Sequence, residues 1–414
     1  MMVLAMTALM LVVAGASAAS SDDSVSPRWL RGNTHTHTLW SDGDAPPETA
    51  VAWYVDHGYD FLVLSDHNLV QNGERWFDVS PDGRLTPAKV DAVRDRFGAD
   101  WPEIDAGDDG GERMRLRTLA ELKAAFDRPN EFVLVPGEEV TSSHRMAQIH
   151  INALNVDSTI PPVRGDSVQA TIQANLDAII AWGEANGQPV LAHLNHPNFR
   201  KSLASVNLAE MRGERFFEVY NGHRGVENQR IGNRPSTEEL WDLALVARLH
   251  GGAGDGTPLY GIATDDAHDH YTVDAVSVPG RGWVMVRCDV VEPDAIVDAM
   301  RRGDCYASSG VFLDDVRMED DGRLVVDPKA VGDAGEDETL TVEFIGTRVI
   351  DGEPRKTGEV LATVEQPLGS GAAVEYRFQG DELYVRARIT SSRPHPRPYA
   401  EGDRQMAWTQ PVTR

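Results

Sequence analysis

The sequence predicts an α/β fold: a barrel of βα units over residues 27–310, then a small antiparallel β domain over 311–414. Three observations lead there. Short apolar runs alternate with helical stretches up to about residue 310, the pattern of parallel βα units. Beyond about 311 the apolar residues alternate with polar ones at period two, the mark of an antiparallel sheet with one wet face. Histidines gather beside carboxylates at the ends of the predicted strands, and in a parallel barrel those ends converge on one mouth.

Taken in order, strand candidates end in the segments 31–37, 60–65, 131–136, 189–193, 215–220 and 259–264, with weaker runs at 282–287 and 304–307. Between them, 46–57, 118–126, 166–186, 237–250 and 293–302 carry helical patterning. Their starts show the expected signals: proline in the first turn, or Ser236 and Thr237 ahead of Glu238 and Glu239. About seven such units in roughly 280 residues favour a barrel over an open doubly wound sheet. The polar, Gly/Asp-rich stretch 71–117 reads as an insertion over one barrel end. In the C-terminal region, 340–350, 359–364, 373–378, 383–389 and 406–412 alternate and are separated by turn residues, as in a small β-sandwich-like domain.

Composition narrows the function classes. The 414 residues are 41 % hydrophobic and 25 % charged, ordinary for a globular protein, but 65 acidic against 39 basic residues give a net charge of −26. Such a surface repels nucleic-acid backbones and anionic lipid, so no nucleic-acid partner is expected. Residues 1–24 read as a signal peptide: an apolar run to about residue 14, then Ala16-Ser17-Ala18, then a polar stretch. No Lys or Arg precedes the apolar run, which departs from the usual pattern. We expect export to the periplasm or medium, cleavage near Ala18 and no membrane span in the mature chain. The two cysteines, Cys288 and Cys305, are read as small core residues ahead of a single bridge. The sequence does not indicate an oligomeric state.

The chemistry lies in the histidine placement. The first strand ends in His35-Thr36-His37, with Asp42 close behind; strand alternation puts both rings on one side, within reach of one ion. Later strands end in Ser65-Asp66-His67, Gly137-Glu138-Glu139 followed by His150, His193-Leu194-Asn195-His196, and Asp265-Asp266-Ala267-His268. Imidazoles and carboxylates without thiolate suit Zn, Mn, Fe or Co. A lone His-x-His is usually structural; five such items, each after a predicted strand, point to a metal centre.

The motifs HTHTLWSDG, GYDFLVLSDHN, GEEVT, IHI, NHP and TDDAH, in that order over about residues 30–310, resemble those of the polymerase-and-histidinol-phosphatase (PHP) superfamily. Trp40, GYDFL, RRGDCYASSG and the terminal AWTQP further resemble its carbaryl-hydrolase-like branch, which adds a C-terminal β domain. The resemblance implies a distorted TIM-like barrel of seven βα units with two to three divalent transition-metal ions at its mouth. By motif it implies that His35, His37, Glu139 and Asp266 hold a first ion. Glu139 would bridge to a second held also by His150 and His196, and Asp42, His67 and His268 would hold a third. Asp66 would orient the site without binding metal. Three divalent ions against three carboxylates leave about +3, a centre that attracts an anionic small molecule to an acidic chain.

Phosphoester hydrolysis by a metal-activated water is the chemistry the superfamily implies; the branch implies carbamate, ester or amide hydrolysis. A secreted binding protein with structural metals is the reading from another class, disfavoured because such sites are closed and tetrahedral. With Glu139, His193, His223 and His270 are candidate catalytic groups, and His144 is a further candidate for proton delivery. Arg145, Arg200 and Arg224 are candidates for binding a substrate oxyanion.

Overall fold

A computed structural model describes residues 27–107, 110–329 and 338–413. The expected signal peptide at 1–24 lies outside the described residues. Among the described residues, no helix is long and apolar enough to cross a membrane.

The first strands, β1 (Arg28–Asn33), β2 (Phe61–Val63), β3 (Trp76–Asp78), β4 (Ile104–Ala106), β5 (Glu112–Arg115) and β6 (Val133–Val135), divide into two groups. β1, β2 and β6 run parallel and adjacent, and β2 and β6 are buried at every residue, as strands covered on both faces must be. Gly32 lets β1 and β2 approach, because the Phe61 ring occupies the space a Cβ would need. β3, β5 and β4 form a separate three-stranded sheet within the insertion. That insertion closes over a core of its own, in which Leu85, Val90 and Met114 meet Leu39 and Trp40.

A second sheet holds β7 (Gly137–His144), β8 (Ala147–Leu154), β9 (Leu191–Leu194), β10 (Phe216–Asn221) and β11 (Tyr260–Thr264) in the order β11-β10-β9-β8-β7. β9, β10 and β11 are parallel, whereas β8 is antiparallel to both neighbours. The β7–β8 hairpin was not legible as such in the sequence. The two sheets do not close into one hydrogen-bonded barrel. They meet at two single bridges, Thr36 with Ala267 and His67 with Glu139.

β12 (Trp283–Cys288) and β13 (Cys305–Ser308) correct the expectation of parallel βα units. The chain leaves β11 at the mouth, crosses it through residues 265–282 and enters β12 from that end, so β12 runs antiparallel to β1 and β13 antiparallel to β12. Cys288 and Cys305 are buried and unbridged.

Seven α-helices occur among the described residues: α1 (Pro47–Asp56), α2 (Pro87–Phe97), α3 (Leu119–Phe126), α4 (Val168–Asn186), α5 (Ser205–Ala209), α6 (Thr237–Leu249) and α7 (Pro293–Arg302). Local chemistry sets their ends. Thr118 with Glu121 and Ser236 with Glu239 form reciprocal caps, Ser167 caps α4, and prolines open α1, α2 and α7.

After residue 311, β14 (Leu313–Met318), β15 (Arg323–Pro328), β16 (Thr339–Ile350), β17 (Glu353–Pro354), β18 (Glu359–Pro367), β19 (Val374–Arg377), β20 (Glu382–Pro394) and β21 (Arg404–Thr409) follow. β14, β15 and β19 form a small sheet. β16, β20 and β21 join the sheet of β1 through β13, in the order β16-β20-β21-β13-β12-β1-β2-β6. The sheet therefore runs across the boundary near residue 310, and one apolar core reaches from Leu62 to Tyr384 and Trp408.

Candidate metal centre

Five chain segments deliver the cluster to the seam where the two sheets meet. Beyond β1, His37 N–H donates to Ala267 O at 2.8 Å, which sets His35 and His37 beside Asp266. His35 Nε2 and His37 Nε2 lie 3.2 and 3.3 Å from Asp266 Oδ1. β7 carries Glu139 inward, and β8, paired so that Thr141 faces His150, brings His150 Nδ1 to 3.0 Å from Glu139 Oε1. His67 Nδ1 lies 2.6 Å from Glu139 Oε2, and His196 Nε2 lies 3.6 Å from Glu139 Oε1. His268 and His67 approach Asp42 at 3.3 and 3.5 Å. Glu138 turns the other way along β7 and accepts the Ile160 N–H.

The Asp66 carbonyl accepts the Glu139 N–H at 3.3 Å, while its carboxylate shapes the rim of the cluster. It accepts from Thr38 N–H, Thr38 Oγ1 and Gln71 Nε2 at 2.8 Å and from Ser41 Oγ at 2.6 Å. Gly43 completes that turn, since a Cβ there would lie 2.6 Å from His37 O.

Without cations the imidazoles and carboxylates balance one another. Burial opposes ionisation of Glu139 and Asp266, yet the surrounding histidines hold both well below the usual carboxylate range. Burial would lower His67, but Glu139 and Asp42 hold it up to about 11. His37, buried and facing His268 and His67, is pushed down to about 4.

The donor set fits divalent ions. His150 Nε2 is buried without a hydrogen-bond partner, and His35 Nε2, His37 Nε2 and Glu139 Oε2 are buried within 3.3 Å of an oppositely charged neighbour but make no well-aligned hydrogen bond. Four overlapping groups have ligand atoms within 4.8 Å of one another: His37/Asp42/His67/His268, His35/His37/Glu139, His35/His196/Asp266 and His67/Glu139/His150. All nine residues singled out as ligands thus lie in one cluster. A cavity of about 280 Å³ opens onto it, walled by Gln148, Phe199, Arg200 and His223.

No protein-family model matches the sequence, and no curated protein matches it. Among solved structures it is similar to a two-domain protein from Bacteroides vulgatus containing a predicted PHP-like metal-dependent phosphoesterase, at 14 % identity over 96 % of this chain and 100 % of that one, with a TM-score of 0.38. It is also similar to an amidohydrolase from Chromobacterium violaceum with bound sulfate and no metal, at 14 % identity over 58 % of this chain and 88 % of that one, TM-score 0.27. Likenesses this distant carry no functional argument, which rests on the chain's own geometry.

The other candidates scatter. His223 and Arg200 line the cavity. His193 lies beneath His35, ring centroids 6.4 Å apart, walled in by the core. His270 sits behind His37, its Nε2 3.2 Å from His37 O and its N–H donating to Asp44. His144, with Nδ1 3.2 Å from Gly165 O, lies at the end of the β7–β8 hairpin, and Arg145 is exposed at its turn with φ of 55°. Arg224 commits its guanidinium to the carbonyls of Asp274, Pro398 and Tyr399.

Sequence reasoning missed Glu218. Fully buried on β10, it accepts from Thr264 Oγ1 (2.8 Å), His196 N–H (2.7 Å) and Asn221 Nδ2 (2.8 Å), and lies 2.6 Å from His35 Nδ1. Burial would raise its carboxyl, but His35 pulls it down to about 2. It orients two ligands at once, the role a carboxylate behind a metal-bound histidine plays. The signal was a glutamate inside the apolar run Phe216-Phe217-Glu218-Val219.

Proposed function

We propose that this chain is an exported, metal-dependent hydrolase of the PHP type, in its carbaryl-hydrolase-like branch, that cleaves small phosphoesters. One observation carries the reading: nine imidazole and carboxylate donors converge on a cavity while four of their buried atoms make no well-aligned hydrogen bond. Leaving such atoms unmet costs roughly 1–3 kcal/mol each, so the arrangement is built for an occupant. The chain's βα region would be a distorted barrel of seven βα units, with the seam at Thr36 and Glu139 as the mouth.

The site residues would divide as the motifs imply: His35, His37, Glu139 and Asp266 at one ion, Glu139, His150 and His196 at a second, and Asp42, His67 and His268 at a third. Divalent ions bound there would supply an activated water and offset the charge of a leaving oxyanion. The remaining work falls to the chain. Arg200 lines the cavity and binds a phosphoryl oxygen, with Phe199 beside it as an apolar wall for the leaving group. Gly225 N–H donates to His223 Nδ1 at 2.9 Å, so the proton of the neutral ring sits on Nε2, available to the leaving oxygen.

The test is turnover of aryl phosphate mono- and diesters, beside aryl carbamates and esters, by protein loaded with Zn, Mn or Fe. Phosphoester turnover abolished by chelation and restored by metal is expected. Turnover of carbamates or esters alone would move the assignment to carbonyl chemistry. A protein that retains no metal and turns over nothing would end it.

A further inference from the structure

Asp42 differs from the other carboxylates of the cluster. Glu139 and Asp266 are buried in strand ends, whereas the Asp42 side chain is 56 % exposed on the short turn after His37. No packing holds it, so its distance from His37, His67 and His268 depends on the backbone of residues 41–44.

That backbone is gripped from outside by the first half of the insertion. Arg84 Nη1 donates to Ser41 O and to Gly43 O, both at 2.9 Å, the carbonyls on either side of Asp42. Lys89, on α2, donates to Asp44 O at 2.6 Å and to Asp44 Oδ2 at 3.2 Å. The remaining Asp44 oxygen accepts the His270 N–H at 2.8 Å, and Asp44 N–H donates to His268 O at 2.8 Å. The two cations are themselves steadied by aromatic rings: Arg84 lies 5.0 Å from the Phe77 ring of β3, and Lys89 4.4 Å from that of Tyr271.

We infer that Arg84 and Lys89 are positioning residues for Asp42, and that the insertion thereby sets the affinity of the outermost ion position, Asp42/His67/His268. The inference rests on the metal-centre reading above. The inner positions, built from buried strand ends, are independent of the insertion. Loss of a group that orients a metal ligand commonly lowers metal affinity by ~10–100-fold.

The experiment counts bound zinc by elemental analysis and resolves stepwise affinities by competition with a chromophoric chelator. It compares the full-length protein with Arg84→Met, Lys89→Met, Arg84→Lys, Asp42→Asn and Arg96→Ala. Arg96 belongs to the same insertion and ties it to the barrel through Asp56 at 2.6 and 2.8 Å, away from the Asp42 turn. The expected result is about three ions in the parent. Arg84→Met and Lys89→Met should weaken one of them by ~10–100-fold and leave the others unchanged. Arg84→Lys should recover part of the loss, and Arg96→Ala should bind as the parent does. Thermal melting of the metal-free forms confirms that each variant is folded. Unchanged stepwise affinities in both methionine variants would overturn the inference, and so would an equal loss in Arg96→Ala, which would mean general loosening. A parent that binds one ion or none removes the metal-centre reading itself. A parent with two ions, indifferent to Asp42→Asn, leaves that reading standing and overturns only the clamp.

Discussion

At the scale of single residues, Glu139 is the point on which the cluster turns, since His67, His150 and His196 approach its two oxygens from different segments. Glu139→Gln keeps the shape but removes one charge, and an amide cannot offer two anionic oxygens. We expect metal content to fall and kcat to drop by about two orders of magnitude or more, on the order of 3 kcal/mol of barrier. Metal content and rate measured together decide it; full content with normal turnover would remove Glu139 from the centre. Glu214 makes a separate, pH-dependent prediction. Burial raises its carboxyl to about 8, against the opposing Arg301 charge and the Ala192 N–H. Between its ordinary 4.5 and about 8, the folded chain holds a proton that the unfolded chain has released. Stability therefore falls as pH rises through that window. Glu214→Gln should match the parent near pH 4.5 and exceed it above pH 8 by on the order of 5 kcal/mol, read from urea midpoints at both pH values. An equal difference at both would refute the assignment.

At the scale of elements, α6 and β20 are joined by an ion cluster that excludes water. Arg386, 1 % exposed, reaches Asp242 at 3.0 and 2.8 Å and Glu238 at 3.1 Å, while Tyr384 donates to Asp242 at 2.8 Å. Arg386→Met should destabilise by about 3–5 kcal/mol, because it strands the Asp242 charge in the interior. Adding Asp242→Asn should recover part of that loss in denaturant melts; a double variant no more stable than the single one would argue against stranded charge as the cause. Legibility in the sequence divides along the same line. The caps of α3 and α6, and the histidines at the ends of β1, β9 and β11, could be read because each depends on residues a few positions apart. The Arg386–Asp242 pair joins residues 144 positions apart, and nothing local marks it. The antiparallel run of β8 and the reversal at β12 escaped because largely buried strands look alike in either direction. Glu218 was visible as a charge in an apolar strand, but only its partners reveal that it serves His35 and His196. Arg224 looked like a substrate clamp because the backbone carbonyls that engage it come from residues 274, 398 and 399.

At the scale of the molecule, two sheets share a core, and among the described residues their backbones pair at two single bridges, both inside the candidate metal centre. The ligands lie on both sides of that junction: His35, His37 and His67 follow strands of one sheet, and Glu139, His150, His196 and Asp266 belong to or follow strands of the other. Ions bound between them would fasten the sheets together, so bound metal should appear as global stability. The same arrangement governs how long individual amide hydrogens survive in deuterated water. The His37 and Asn68 amides donate across the junction, to Ala267 O at 2.8 Å and Glu139 O at 2.9 Å. In chelated protein these two should exchange early, through local parting of the sheets, while amides in the middle of β2 and β10 wait for global unfolding. With metal restored, the two populations should merge toward one slow class, so that the lifetime of a few backbone protons records whether the centre is filled.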